Sequence, residues 1–286
     1  MQSLNKKIKK DFIELWEKRD ETYYIHWTNK EPKTQIQLAF RKHWELFRKI
    51  INKLGIRGKN CLEVGCGRGT ISSYMSNADY NCTLLDASFE VIQNAQKIYK
   101  DFKLKGKFVR GDVFYLPFLD EEFDIVFSIG LLEHFKNPKK VIEEKLRILK
   151  KEGLFFAYIV PKKFVNIQHK YEWINDILKG YIQFYEDNVK KDKEKHIFRT
   201  YYNSKLYIRI LKDLGVQKVE HCGVYPLPMI SHSIEFPFSL MPPESEEALV
   251  NYFKTILTER RRIYKRNPWV CNEDEGQGFF VWGIKK

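Results

Sequence analysis

Glycine recurs at alternate positions in Leu62-Glu63-Val64-Gly65-Cys66-Gly67-Arg68-Gly69-Thr70, directly after a short run of interior-type residues. Glycine lets a backbone turn tightly and approach a ligand closely, and a helix opening after such a turn offers N–H groups and the positive end of its dipole. A nucleotide-like ligand suits that arrangement. A dinucleotide fingerprint needs glycine three places after Gly67, where this chain has Thr70, so the pattern speaks against NAD. Asp86 follows the glycines at the distance where a carboxylate can accept bonds from ribose hydroxyls, and is expected at an exposed strand end. Gly111-Asp112-Val113 supplies a second acid after the next strand. Each acid alone would serve as a turn or cap; together they mark one ligand edge.

Glu133-His134 is the natural place for proton transfer, because a base beside an acceptor helps whenever the nucleophile must lose a proton. Either residue could instead start a helix or touch a cofactor. His169 and His221 read as structural or surface groups. Cys61, Cys66, Cys82, Cys222 and Cys271 form no CxxC pair and no zinc spacing, so reduced thiols and no metal are expected.

Positioning these residues requires alternating strands and helices. Strands are expected at Asn60 to Val64, Asn81 to Leu85, Lys107 to Arg110, Phe123 to Ile129 and Leu154 to Val160, with helices starting after Gly69, after Ser88 and at Pro138. Such alternation implies parallel strands joined by right-handed crossovers, hence a doubly wound α/β sheet. Helical spacing also marks Phe12, Leu15, Trp16 and Arg19, and again Leu38 to Leu54. After Pro161 regularity is lost until a helix at Ser204 to Leu214 and a strand at Gln217 to Gly223. A basic helix around Glu247 to Arg262 and an aromatic strand at Gly278 to Ile284 close the chain.

The runs LEVGCGRGT, LLDAS, GDVFYLPFLDEEFDIVFSIGLLEHFKNP and LRILKKEGLFFAYIVP resemble the class I S-adenosylmethionine-dependent methyltransferases, of the ubiquinone and menaquinone biosynthesis type. The resemblance covers about Asn60 to Pro161 and implies a Rossmann-like fold, mostly parallel with a final antiparallel strand. It implies S-adenosyl-L-methionine as cofactor. Glu63, Gly65, Cys66, Gly67 and Gly69 would surround its methionine part, Asp86 with Ala87 its ribose, and Asp112 with Val113 its adenine. Ser128 to Leu131, including Ile129 and Gly130, would complete the wall. In many relatives an N-terminal segment folds over the cofactor, which makes Tyr23, Tyr24 and Trp27 lid candidates, with core packing an equal alternative. Residues 1–57 are thus expected as a helical lid and 58–286 as the methyltransferase domain, with insertions at about 162–200 and 224–277.

Both insertions are rich in Tyr, Phe and Trp and lie where this family builds its acceptor pocket, which suits a small organic acceptor, partly apolar and conceivably acidic. Glu133 and His134 are the candidate catalytic pair. The formal charge of +13 and the run Glu259-Arg260-Arg261-Arg262-Ile263-Tyr264-Lys265-Arg266 raise a competing class, RNA or protein methylation. SIGLLEHF also resembles cyclopropane fatty acid synthases, a lipid-modifying alternative. The charged N-terminus has no apolar signal core and no stretch suits a membrane span, so a cytoplasmic location is expected.

Overall fold

Asn60–Val64 (β1) and Phe123–Ile129 (β4) are buried along nearly their whole length, and strands apolar on both faces need a layer on each side. The computed structural model describes residues 25–185, 198–231 and 241–286. Its other strands are Asn81–Asp86 (β2), Gly106–Arg110 (β3), Leu149–Ile159 (β5), Gln217–Val224 (β6), Val270–Cys271 (β7) and Gly278–Ile284 (β8). All join one sheet in the order β3-β2-β1-β4-β5-β8-β6-β7. Strands β1 to β5 pair in parallel, β8 runs antiparallel between β5 and β6, and β7 pairs antiparallel with β6. This is the expected Rossmann-like α/β architecture. Strand order reverses between β1 and β4, which opens the crevice where such sheets bind ligands.

The helices are Gln35–Leu54 (α1), Thr70–Ser76 (α2), Phe89–Asp101 (α3), Lys139–Ile148 (α4), Ile167–Tyr185 (α5), Ser204–Asp213 (α6) and Pro243–Tyr264 (α7). Alternate strand residues feed two separate cores. Cys61, Phe127, Phe156 and Phe280 meet α1, α3 and α7 on one face, while Leu62, Val126, Phe155 and Phe279 meet α4 and α6 on the other. Helix α1 starts where the Thr34 side chain accepts from the Gln37 N–H and stops at Gly55, whose φ of 70° carries the chain out of the helix. Between those ends Phe47 stacks on Phe156 with ring centres 3.9 Å apart.

Three elements differ from expectation, the short β7 being one that was not foreseen. Strand β5 begins at Leu149 rather than Leu154, because Leu149 pairs with Phe123 across an irregular register. The stretch after Pro161, expected to be irregular, contains α5. Its inward face mixes Ile174 and Leu178 with Gln168 and Asn175, whose amides bond the backbone at Met229 and Ser231. A face completed by amides leaves no apolar period to read. The expected helix around Phe12 to Arg19, with Tyr23 and Tyr24, lies outside the described residues.

Candidate active site

Gly65, Gly67 and Gly69 all take left-handed backbone, at φ 68°, 52° and 62°. Side chains rarely tolerate that region, and at two of the three there is no room either. A Cβ on Gly65 would lie 2.8 Å from Leu131, and one on Gly69 would lie 2.3 Å from Leu84. The N–H groups of Gly65 and Cys66 both donate to the Leu85 carbonyl, at 2.8 and 2.9 Å, so the loop is pinned to the end of β2.

Asp86 is half-buried, not at a freely exposed strand end as expected. One carboxylate oxygen accepts from the Gly67 N–H at 3.2 Å and the other from Ser88 at 3.1 Å. Burial raises its pKa, and these backbone bonds pull the other way. Glu63 is deeper. Its carboxylate accepts from the Ser72 N–H on α2 at 3.2 Å, and burial, against that bond, pushes its pKa up to about 8.

Ala87, Arg110, Gly111 and Asp112 line an open recess of about 260 Å³. Asp112 accepts from the Phe114 N–H at 3.1 Å, which sets the turn after β3, and Val113 faces the packed side of that turn. Arg110 was not singled out from the sequence. Its Nε donates to the Ala87 carbonyl at 3.2 Å and ties the ends of β2 and β3 together. A long cation at the last strand position before Gly-Asp was the available signal.

Across the crevice Ile129 pairs with Tyr158 of β5, and Gly130, at φ 66°, donates to the Tyr158 carbonyl at 2.9 Å. The chain then enters a single 3-10 turn, Leu132–His134. Glu133 is enclosed: Oε1 accepts from the Val160 N–H at 3.1 Å and its carbonyl accepts from Thr200 at 2.8 Å. His134 sits nearer the surface with Nδ1 2.7 Å from the Phe198 carbonyl. A carbonyl can only accept, so Nδ1 carries the proton and the lone pair of the neutral ring lies on Nε2. Glu133 is therefore placed to hold the turn, and His134 is the more exposed member of the pair.

Trp27 is buried edge-on against Tyr74 of α2 and Phe102, at 6.2 and 4.7 Å between ring centres. It touches the helix that follows the glycine loop rather than the recess. Tyr23 lies outside the described residues. His169 bonds Asn166, and His221 is exposed on β6. Among the described residues no group of His, Cys, Asp or Glu is placed to hold a metal ion, and no helix is long and apolar enough to cross a membrane.

The donor set fits an adenosyl cofactor. The three glycines allow backbone approach, Asp86 has its carboxylate oxygens beside them, and the recess at Asp112 opens at the same sheet edge. Glu63 is an acid poised to meet a cationic methionine end.

Residues 62–157 match the methyltransferase domain family. An uncharacterized protein of Methanocaldococcus jannaschii is 28% identical over 90% of this chain and 92% of its own length. The phthiotriol/phenolphthiotriol dimycocerosates methyltransferase of Mycobacterium leprae is 31% identical over 57% of this chain, and the match spans 62% of that enzyme. Among solved structures, an S-adenosylmethionine-dependent methyltransferase of Thermotoga maritima shares the fold with a TM-score of 0.52 at 16% identity, covering 87% of this chain and 91% of its own. A Galdieria sulphuraria protein, provisionally named a sarcosine dimethylglycine methyltransferase, does so with a TM-score of 0.54 at 16% identity over 98% of both chains. Domain match and site geometry agree on the class: this is an S-adenosylmethionine-dependent methyltransferase, and S-adenosyl-L-methionine is its cofactor.

Proposed function

We propose that the enzyme methylates a small, partly apolar organic acceptor enclosed above Gly130 to His134. The observation that carries this reading is the lacing of its two insertions into one cap. Gln168 and Met229 exchange two hydrogen bonds, at 3.1 and 2.8 Å. Asn175 adds one to each of Met229 and Ser231, both at 3.0 Å. Beneath the cap lies a packed aromatic cluster, with Tyr225 stacked on Trp269 at 4.9 Å and His43 against Tyr158 at 4.4 Å. The named substrates of the Mycobacterium leprae relative are consistent with an apolar acceptor. The quinone-biosynthesis type of methyltransferase fits the same reading.

The cofactor supplies a methyl group on a positively charged sulfur, and the rate then depends on holding a nucleophile in line with it. Glu63 and Asp86 orient the cofactor, and the aromatic cap excludes water. His134 accepts the nucleophile's proton at Nε2, with Glu133 fixing the turn that carries it. Trp27 lies against the helix after the glycine loop, which supports a part for its segment in closing the site.

RNA methylation is the second reading, and the fixed geometry of the basic helix counts against it. Arg260 donates to the Pro268 and Val270 carbonyls, and Arg262 pairs with Glu259 at 2.8 Å. Incubation with methyl-labelled cofactor and a fractionated cell extract decides between the two. Label should appear in small organic products alongside S-adenosylhomocysteine. Label confined to RNA or protein would overturn the acceptor assignment while leaving the enzyme class intact.

A further inference from the structure

We infer that Arg199 is the anion-recognition point of the acceptor site, and that the acceptor carries a carboxylate. This rests on the small-molecule reading above and adds the acceptor's charged group.

Residues 198–200 form a strap locked against the catalytic turn. The Phe198 carbonyl bonds His134 at 2.7 Å and the Thr200 N–H bonds the Glu133 carbonyl at 2.8 Å. The Thr200 carbonyl in turn accepts from the Lys162 N–H at 2.8 Å, where the chain leaves β5. Arg199 sits between those anchors, so its backbone is fixed beside the candidate base.

The side chain is half-buried, and it takes part in none of the ion pairs among the described residues. A partly dehydrated guanidinium without a paired acid is costly unless something supplies the charge. Two lysines flank the strap, Lys136 over the Phe198 ring at 5.7 Å and Lys162 over the Tyr201 ring at 5.6 Å. Lys163 donates to the carbonyls of Glu273 and Gly276, and Lys145 lies in the interior against Ser128.

Arg199 acts on a buried neighbour of the turn. The Tyr158 phenol is pushed up mainly by burial and further by Glu133, while Arg199 acts in the opposite sense. Tyr158 is the strand partner of Ile129, the residue before Gly130. The same corner encloses Glu133 Oε2, which has no partner among the described residues, and the Thr200 and Tyr207 hydroxyls, which lie beside each other. A buried carboxylate oxygen without a partner is rare, and it makes this a polar corner of the interior.

A carboxylate suits this corner better than a phosphate. It matches the planar guanidinium fork with a single negative charge, whereas a dianion would meet stronger repulsion from Glu133.

The test uses the full chain saturated with S-adenosylhomocysteine. Calorimetry is run with 4-hydroxybenzoate, phenylacetate and hexanoate, each against its carboxamide, and with phenyl phosphate. At least one carboxylate should bind while its carboxamide does not. Arg199→Met should weaken that binding by about tenfold to a hundredfold, Arg199→Lys should restore part of it, and S-adenosylhomocysteine affinity should stay unchanged in both. Binding that survives Arg199→Met, equal binding of the carboxamides, tighter binding of phenyl phosphate, or no binding by any carboxylate would each overturn the assignment. Failure of the wild-type chain to bind S-adenosylhomocysteine would instead count against the cofactor reading beneath it.

Discussion

At the scale of single residues, Glu63 and Asp86 are both carboxyls but burial sets them different tasks. With its pKa at about 8, Glu63 holds a proton at neutral pH in the apo protein. The unfolded chain would have lost it, so between the ordinary carboxylate range and pH 8 stability falls as pH rises, and is flat above. A cation brought beside Glu63 favours the charged form and reverses that shift. Cofactor binding at pH 7.5 should therefore release protons, read as a dependence of calorimetric enthalpy on buffer ionisation heat. Glu63→Gln should remove the release. Asp86 already braces Gly67 and Ser88 through its two oxygens, so Asp86→Ala should affect both loop and ligand. Cofactor affinity is expected to drop about tenfold to a hundredfold, with a smaller loss of stability in urea; an unchanged dissociation constant would move the ribose site elsewhere. The glycines, Asp86 and Asp112 were readable because each marks the end of a local strand. Arg110 and Arg199 were not, since nothing in a single cation's neighbours along the chain says which backbone or ligand it will meet.

At the scale of elements, strands β1 and β4 and most helices were legible because their apolar period is local. What joins them was not. Buried Glu246, in the first turn of α7, accepts from the Gln35 N–H at 2.7 Å, from Gln35 Nε2 at 3.0 Å and from the Met241 N–H at 3.0 Å. Gln35 Nε2 also reaches the Ile230 carbonyl, and the Ile230 N–H returns to Gln35 Oε1. A glutamate and a glutamine at two helix starts read as ordinary first-turn residues. Glu246→Ala would remove the shared acceptor of three N–H groups, two of them buried, so a loss of about 3 kcal/mol is expected in urea unfolding. A change below about 0.5 kcal/mol would mean that water replaces the carboxylate there. Helix α5 went unread for a related reason, because Gln168 and Asn175 complete its inward face.

At the scale of the molecule, the excess of positive charge is spread over the surface, and the basic end of α7 is bound into its own surroundings. Arg260 and Arg266 lie over the Tyr264 ring at 5.2 and 5.4 Å. Binding to cellular RNA should be weak and lost by about 200 mM salt, as for non-specific phosphate contacts. A gel-shift complex that survives that salt and disappears on changing Arg260, Arg261 and Arg262 would reinstate the RNA reading. The knot between Gln35, Ile230 and Glu246 has one more consequence, in time rather than energy. Its partners lie 195 and 211 residues apart along the chain. At roughly 5–20 residues per second of synthesis, α1 leaves the ribosome on the order of ten seconds or more before these partners exist. Through that interval α1 can close on Phe127 and Phe156 of the sheet, but its Gln35 end has no partner. That end should then stay loose until nearly all of the chain is made, and a chain ending at Gly223 should leave it open to protease where the full chain protects it.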